Sequence, residues 1–282
     1  MELLDGKLVS KSIKNDLKQK IEQITSTNYR KPHLAIVIVG NNEASQIYVR
    51  NKIKACNLIG MDSTLISFEE TISTEELLKE VDVLNNDDNI DGIIVQLPLP
   101  KHIDEHIIID AICEKKDVDG FGTLNKGRLF CGMDGFKPAT PYGIIKLLEY
   151  YNINLEGMNA VVIGRSNIVG KPMSILLLNK NATVTICHSR TKNIKDITSR
   201  ADLVVVAVGK AKFLTADMVK DNAIIVDVGM NRLETGLCGD VDFENVSQKA
   251  SFITPVPGGV GPLTIAMLLS NTFDAYKRKF NL

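Results

Sequence analysis

The stretch Val161-Val162-Ile163-Gly164-Arg165-Ser166-Asn167-Ile168-Val169-Gly170-Lys171-Pro172 decides the fold of this chain. A β-branched run stops at a Gly-Arg-Ser turn, and Pro172 opens an apolar segment of helical length, which predicts a strand, a turn and a helix. Gly164 lets the chain leave the strand sharply, and Gly170 allows close approach of the backbone. The start of the helix offers free N–H groups and a positive dipole end to a pyrophosphate. The sequence therefore predicts the first unit of a dinucleotide-binding domain.

The glycine spacing leaves an alternative open, because the turn does not match the G-x-G-x-x-G fingerprint. In that alternative, the two glycines are needed only for the geometry of the turn and bind no nucleotide, which explains them equally well. The next strand-like run, residues 183–187, favours the nucleotide interpretation. It ends at His188, near the position where an NAD-binding fold places an acid for the ribose 2′-hydroxyl. Arg190 follows, Arg165 lies in the first turn, and guanidinium groups suit a 2′-phosphate. We therefore expect NADP as the cofactor.

Composition excludes several classes of protein. The 282 residues include 33 basic and 34 acidic ones, and the formal charge of −1 creates no field that attracts nucleic acid or a membrane surface. The five cysteines are scattered and odd in number, which indicates reduced thiols and argues against a zinc site or a disulfide framework. No signal peptide is evident, and no apolar run approaches the roughly 18 residues of a membrane span. We expect a cytoplasmic protein.

Strand and helix patterns alternate along both halves of the chain. In the first half, strands are predicted at 34–39, 63–68 and 92–96, with helices between them. In the second half, buried strands are predicted after residue 160. This order predicts an α/β protein with two domains, an N-terminal domain with a parallel sheet and a Rossmann-like NADP-binding domain, with a cleft between them. The predicted boundaries are 1–138 plus 266–282 for the first domain and 139–265 for the second.

A candidate catalytic group is predicted at the edge of the first sheet. Ser45, Tyr48 and Lys52 share one face of the helix that follows the first strand, and Gln96 ends a later strand of the same sheet. A solvated helix face is the simpler interpretation of the lysine alone. Gln96 favours a site, because a lysine partly withdrawn from water in such a cleft can act as a base near neutral pH.

Two further acidic motifs leave alternatives open. Asp117 and Asp119 either cap a turn beside Gly120 or provide a carboxylate that binds a guanidine-like ring edge. The segment His102-Ile103-Asp104-Glu105-His106 matches the H-x-x-E-H pattern of metalloproteases. Two prolines upstream place His102 before the helix, and no further ligand set is evident, so we expect surface histidines and no metal.

Several motifs together resemble the bifunctional methylenetetrahydrofolate dehydrogenase/cyclohydrolase family from the first residues to the last helix. They are Tyr48-x-x-x-Lys52, Val95-Gln96-Leu97-Pro98-Leu99-Pro100, Asp117-Val118-Asp119-Gly120, Pro138-x-Thr140-Pro141, Gly164-Arg165-Ser166-x-x-Val169-Gly170-x-Pro172, His188-Ser189-x-Thr191 and Pro257-Gly258-Gly259-Val260-Gly261-Pro262. Each motif alone is weak, and the set is specific.

The resemblance implies two reactions of one-carbon metabolism. In the first, 5,10-methylenetetrahydrofolate gives a hydride to NADP+; in the second, water converts the methenyl product to 10-formyltetrahydrofolate for purine and related biosynthesis. It implies catalytic and folate-binding roles for Lys52 as the base, Gln96 as its orienting partner, Tyr48 stacked on the folate rings and Asp119 at the pterin edge. The first domain would then bind folate, and a homodimer is expected.

The resemblance also implies contacts in the second domain. The cofactor-binding residues would be Thr140, Gly164, Arg165, Ser166, Ser189, Arg190 and Met230, and the junction of folate and nicotinamide would be lined by Pro257, Gly258 and Gly259. Ala139, Leu263 and Met230 depart from the residues usual in the family, and none of these changes removes a charge or a proton carrier. One alternative is an NADP-dependent dehydrogenase acting on another small substrate, against which the set Tyr48, Lys52, Gln96 and Asp119 argues. The other is a regulatory nucleotide-binding module without catalysis, against which the presence of Lys52 argues.

Overall fold

The computed structural model describes residues 1–234 and 236–282, which form two compact units. Unit 1 consists of Met1–Lys11 and Pro138–Thr264, and unit 2 consists of Ser12–Lys137 and Ile265–Leu282. The divisions near residues 138 and 265 fall within one residue of the predicted boundaries. The placement of the first eleven residues differs from the prediction, because Glu2–Leu3 pairs in parallel with Phe252–Ile253 and so belongs to the sheet of unit 1.

Strand and helix alternate along most of the chain, as the sequence predicts. In chain order they are β1 (Glu2–Leu3), α1 (Gly6–Thr25), β2 (His33–Val39), α2 (Glu43–Ile59), β3 (Asp62–Phe68), α3 (Thr74–Asn86), β4 (Gly92–Val95), α4 (Glu105–Ala111), α5 (Thr123–Phe130), α6 (Ala139–Tyr150), β5 (Asn159–Ile163), α7 (Gly170–Leu178), β6 (Thr183–Cys187), α8 (Ile194–Thr198), β7 (Leu203–Val206), β8 (Ile224–Asp227), β9 (Asn231–Leu233), β10 (Gly236–Cys238), α9 (Phe243–Val246), β11 (Phe252–Ile253) and α10 (Val260–Phe280). None of the helices in the described ranges is both long and apolar enough to cross a membrane.

Unit 2 is built on a parallel sheet with the strand order β3-β2-β4. Residues 34–39 of the central strand are buried, as their continuous apolar sequence requires. Local signals set the helix ends: Asn42 caps α2 by accepting the Ser45 N–H at 3.0 Å, and Gly60 ends α2 with φ +77°. Ser73 and Glu76 form a capping box at α3.

The last part of α10 belongs to unit 2, where Arg30 links it to the sheet. The Arg30 guanidinium binds both carboxylate oxygens of Asp91 at 2.7 Å and lies over the rings of Tyr276 and Phe280. Tyr276 in turn donates a hydrogen bond from its hydroxyl to the Arg30 carbonyl at 2.8 Å. A buried carboxylate such as that of Asp91 needs its ion-pair partner, so Arg30 stays in place. Through Arg30, these contacts hold the end of α10 against the segments that contain Arg30 and Asp91.

Unit 1 contains a six-stranded parallel sheet with the order β1-β11-β8-β7-β5-β6. The order places β6 on one side of β5 and β7 on the other, so the strands that follow β5 in the chain are added first on one side of it and then on the other. Such a change of side opens a crevice at the carboxyl ends of the strands, where doubly wound folds bind ligands. The Rossmann-like sheet predicted for the second half of the chain is confirmed.

Several elements were not predicted, among them β1, the hairpin β9–β10 and α5. β1 is only two residues long, and the hairpin β9–β10 lies beside the doubly wound sheet as a separate antiparallel pair. α5 lies in a glycine-rich segment. Its start is stabilised by Asp117, whose carboxylate accepts the N–H groups of Phe121 and Gly122 at 3.1 and 2.9 Å. A carboxylate from outside the helix thus outweighs the low helix propensity of the local sequence.

Candidate active site

Lys52 and Gln96 meet at the carboxyl edge of the unit 2 sheet. Lys52 lies on α2, which follows β2, and Gln96 follows the adjacent strand β4. The Lys52 ammonium donates to Gln96 Oε1 at 3.0 Å, and Gln96 Nε2 donates to the Leu97 carbonyl at 2.8 Å. The second bond fixes which way the amide points, so its oxygen is directed at the lysine. The structure thus brings together the two residues that the sequence placed at one edge.

Asp119 faces the same lysine. Burial raises the pKa of Asp119, and the nearby charge of Lys52 acts in the opposite direction. Within residues 1–234 and 236–282, no group donates a hydrogen bond to this carboxylate. Asp119 is therefore a half-buried acceptor whose hydrogen-bonding capacity is open to a ligand.

Asp117 plays a different part from Asp119. It is 1% exposed, and its oxygens accept hydrogen bonds from the N–H groups of Phe121 and Gly122 and from Asn125 Nδ2 at 2.8 Å. Burial raises the pKa of Asp117 to about 6, against the effect of these hydrogen bonds. The turn-capping alternative therefore describes Asp117, whereas Asp119 retains the geometry of a ligand-binding group.

The other residues on α2 share the predicted face. Ser45 is buried, Lys52 is half-buried, and Tyr48 between them is 43% exposed, leaving much of its ring accessible. Aromatic rings at the rim of a site can stack on a planar heterocycle.

The residues of the H-x-x-E-H segment serve local structure. His102 Nε2 lies 2.9 Å from the Ile72 carbonyl oxygen, and Glu105 accepts the Leu99 N–H at 3.0 Å. In the described part of the chain, no three histidine, cysteine or acidic side chains are grouped as metal ligands would be.

In unit 1, the turn between β5 and α7 has no space for side chains at its two glycines. Gly164 has a φ of +125°, and a Cβ added to it would lie 2.3 Å from the Ala207 carbonyl oxygen. A Cβ at Gly170 would lie 2.3 Å from the Gly164 oxygen. Ser166 Oγ accepts the N–H groups of Val169 and Gly170 at 3.2 and 3.3 Å, which leaves its hydroxyl proton available to an anion.

Two arginines lie on neighbouring loops at this edge. Arg165 follows β5 and Arg190 follows β6, and the ends of these strands, Ile163 and Cys187, pair in register. Arg165, Ser189 and Arg190 are exposed, and the residue directly after β6 is His188 instead of an acid. The edge therefore presents cations and hydroxyls, and no carboxylate, at the position that discriminates a 2′-phosphate from a 2′-hydroxyl.

The remaining predicted residues occupy separate positions in unit 1. The Thr140 hydroxyl pairs with that of Thr264 at 2.8 Å, and Met230 is 49% exposed beside the start of β9. Pro257 precedes Gly258, whose φ is +115° and whose carbonyl accepts the Lys7 N–H at 3.1 Å. The structure does not place Thr140 in the turn around Gly164.

Comparison with known proteins covers nearly the whole chain. Residues 4–119 match the tetrahydrofolate dehydrogenase/cyclohydrolase catalytic domain, and residues 138–280 match the NAD(P)-binding domain of the same family. The bifunctional protein FolD of Campylobacter concisus is 56% identical over 280 residues, which cover 99% of both chains. The chain belongs to the tetrahydrofolate dehydrogenase/cyclohydrolase family.

Solved structures of the family have the same fold. The bifunctional FolD of Campylobacter jejuni has a TM-score of 0.97 and 52% identity, with 99% of each chain covered. The FolD of Trypanosoma brucei, solved with NADP cofactor and an inhibitor, has a TM-score of 0.94 and 36% identity, covering 99% of this chain and 98% of the other.

The unit 1 residues of this family member fit NADP. The glycine turn brings bare backbone to the crevice, the Ser166 hydroxyl lies at the start of α7, and Arg165 and Arg190 provide two guanidinium groups on adjacent loops. The cofactor prediction is confirmed. Two buried aspartates of the same unit, Asp227 and Asp240, were not predicted, and the one sequence signal for them is that each lies beside a glycine motif, Asp227-Val-Gly229 and Gly239-Asp240.

Proposed function

We propose that Lys52 is the base of the cyclohydrolase reaction, that Gln96 orients it, that Asp119 binds the pterin edge of the folate and that Tyr48 stacks on its rings. The observation on which this depends is the 3.0 Å hydrogen bond from Lys52 Nζ to Gln96 Oε1, beside the Asp119 carboxylate, to which no group within residues 1–234 and 236–282 donates a hydrogen bond. A base, a group that directs it and an acceptor for a ring N–H are the groups that water addition to a bound folate needs.

The protein catalyses the two reactions of its family. It oxidises 5,10-methylenetetrahydrofolate to the 5,10-methenyl form with NADP+, and it hydrolyses that product to 10-formyltetrahydrofolate, which supplies one-carbon units. NADP+ supplies the acceptor for the hydride. The chain contributes the binding groups that align the folate methylene carbon with that acceptor, which is the main requirement of hydride transfer.

Lys52 would act in the second reaction. The water oxygen forms a bond with the methenyl carbon, and one water proton passes to the unprotonated Lys52 amine. The bond between that carbon and N5 then breaks, the hydroxyl on the carbon becomes the formyl carbonyl by releasing its proton to water, and N5 receives the proton that Lys52 took up. The formyl group remains on N10. Gln96 keeps the nitrogen directed at the water because its own amide is held by the Leu97 carbonyl.

In unit 1, we propose that the turn around Gly164 binds the pyrophosphate, with Ser166 donating its hydroxyl proton. Arg165, Ser189 and Arg190 would bind the 2′-phosphate, and Met230 and Thr140 would contact the cofactor further along. Pro257, Gly258 and Gly259 would line the nicotinamide where it meets the folate. This assignment is supported by the absence of an acid after β6 and by the exposure of both arginines.

The test replaces Lys52 by methionine, which keeps the length of the side chain and removes the amine. We expect Lys52→Met to reduce hydrolysis of methenyltetrahydrofolate by about 100-fold or more while NADP+ binding stays unchanged. The control is Lys54→Met, since Lys54 is exposed on the same helix. Hydrolysis is followed spectroscopically and binding by calorimetry. Normal hydrolysis by Lys52→Met would refute the assigned role.

We further propose a cytoplasmic homodimer, as the family resemblance implies. For a chain of 31.0 kDa, sedimentation equilibrium should give a particle of about twice that mass. A monomer at micromolar concentration would contradict the dimer, and recovery of the activity in a membrane or secreted fraction would contradict the location.

A further inference from the structure

Two buried aspartates of unit 1 have no part in the roles proposed above. Asp227 ends β8 and is 2% exposed, and Asp240 follows the hairpin β9–β10 and is completely buried. Burial raises the pKa of Asp227 to about 6, and the charge of Asp240 acts in the same direction. Two carboxylates buried near each other are a costly arrangement, so their contacts need an explanation.

The Asp240 carboxylate binds the loop after β7. Its Oδ2 accepts the N–H groups of Val208 and Gly209 at 2.7 and 2.9 Å, and its Oδ1 accepts the N–H of Lys210 at 2.9 Å. Asn231 Nδ2 donates to the same Oδ1 at 2.9 Å. One carboxylate thus takes three consecutive backbone N–H groups of one loop and a side chain of β9.

The Asp227 carboxylate binds the turn after β8 and the backbone of Asp240. Its Oδ1 accepts the N–H groups of Gly229 and Asp240 at 2.9 Å, and its Oδ2 accepts that of Val241 at 2.9 Å. A Cβ at Gly229 would lie 2.2 Å from Asp240 Oδ1, and one at Gly239 would lie 1.8 Å from Asp227 Oδ2. The two carboxylates are therefore enclosed by backbone that only glycine can supply.

The strand order shows which part of the ligand these loops face. Arg190 follows β6, so in the proposed assignment the adenosine 2′-phosphate binds at the β6 side of the crevice. The pyrophosphate turn follows β5, so a dinucleotide crossing the crevice extends its other half over β7 and β8. The loops at those strand ends are 208–210 and 229–231, and the first begins beside Ala207, whose carbonyl packs against Gly164.

We infer that Asp227 and Asp240 are positioning residues that hold loops 208–210 and 229–231 in the form that accepts the nicotinamide riboside half of NADP. The carboxylates act through backbone N–H groups, not by touching the cofactor. With these N–H groups turned inward, the outer surface of each loop has a fixed shape before the ligand arrives, which lowers the entropy lost on binding. The inference depends on the cofactor orientation proposed above.

The test compares two ligands that differ by the nicotinamide half. Asp240→Asn keeps the shape of the side chain but turns an NH2 group towards two donors. We expect it to weaken NADP+ binding by about 10-fold to 100-fold, the usual effect of losing hydrogen bonds to a charged group, while adenosine 2′,5′-bisphosphate binds as to the wild type. Both dissociation constants are measured by calorimetry on the full chain, and thermal unfolding checks the fold.

The matched control is Asp202→Asn. Asp202 also binds backbone in unit 1, accepting the Asn159 N–H at 2.8 Å, but it precedes β7 and lies at the opposite ends of the strands. We expect this variant to bind both ligands as the wild type does. General damage to unit 1 would instead weaken both ligands in either variant.

A second variant keeps the inference testable if Asp240→Asn does not fold. Asn231→Ala removes one half-buried donor from Asp240, and we expect it to weaken NADP+ by about twofold to tenfold with no change for adenosine 2′,5′-bisphosphate. Unchanged NADP+ affinity in a folded Asp240→Asn protein, or equal losses for both ligands in either variant, would overturn the inference. Wild-type protein that binds adenosine 2′,5′-bisphosphate no better than 5′-AMP would instead refute the cofactor orientation from which the inference begins.

Discussion

At the scale of single residues, the choice between NADP and NAD depends on the two loops after β5 and β6. Arg190→Ala removes a planar cation from the second loop without exposing any buried group, since the side chain is exposed. We expect this change to weaken NADP+ by about 10-fold to 100-fold and NAD+ by less than about twofold, because only NADP+ carries the 2′-phosphate. The ratio of kcat/KM for the two cofactors measures it.

The control for Arg190→Ala is Arg200→Ala, an exposed arginine of unit 1 located after α8 and before β7. It should leave the cofactor ratio unchanged, which separates a specific contact from the general charge of the unit. Equal losses of NADP+ and NAD+ in Arg190→Ala would contradict the assigned contact with the 2′-phosphate.

Residues that act through side chains at strand ends could be predicted from the sequence. Lys52 and Gln96 share an edge because α/β topology requires it, and the hydrogen bond between them follows from that placement. Asp227 and Asp240 could not be found in this way. Their partners are backbone N–H groups of loops, and the path of a loop is not encoded in a hydrophobic period.

At the scale of elements, Asp117 stabilises the start of α5 and couples it to pH. Burial raises the pKa of Asp117 to about 6 from the ordinary 3.8, so the folded protein holds this proton more tightly than the unfolded chain does. The contribution of this group to the free energy of unfolding is therefore complete below about pH 4 and is lost as the pH rises through about 6.

Asp117→Asn does not titrate, so comparison with the wild type isolates this effect. We expect the wild type to lose about 1–3 kcal/mol of unfolding free energy relative to the variant between pH 4 and about pH 7. Urea unfolding at several pH values gives the difference. The control is Asp82→Asn, an exposed carboxylate on α3. A difference that stays constant, or that favours the wild type more at higher pH, would contradict the prediction.

The same aspartate explains why α5 escaped prediction while α2 and α3 did not. Asn42, Gly60 and Ser73 are local signals that stand next to the helices they start or end. α5 follows Gly122, which has no side chain to cap it. The N–H groups just before the helix are bound by Asp117, and the N–H of Thr123, its first residue, donates to Asp110 at 2.7 Å, so both carboxylates lie several residues upstream. A sequence window centred on the helix shows glycines and no cap.

At the scale of the whole molecule, the first residues of the chain belong to the unit formed mainly by its second half. The N–H of Glu2 donates to Ser251 O, that of Leu4 to Ile253 O at 2.9 Å, and that of Asp5 to the Tyr151 hydroxyl at 3.0 Å. This pairing could not be predicted from sequence, since a two-residue strand has no detectable period and its partner lies about 250 positions away.

The test of this assignment is a pair of identical substitutions in the two units. Leu4 is completely buried in unit 1, and Leu17, on α1, is 3% exposed in unit 2. Leu4→Ala should cost about 2–5 kcal/mol and should speed amide hydrogen exchange in β7, β8 and β11, because a cavity destabilises the elements around it. Leu17→Ala, at a similar cost, should instead speed exchange in β2 and β4. Faster exchange confined to β2 and β4 in Leu4→Ala would show that the N-terminal residues stabilise unit 2, as the sequence alone predicted.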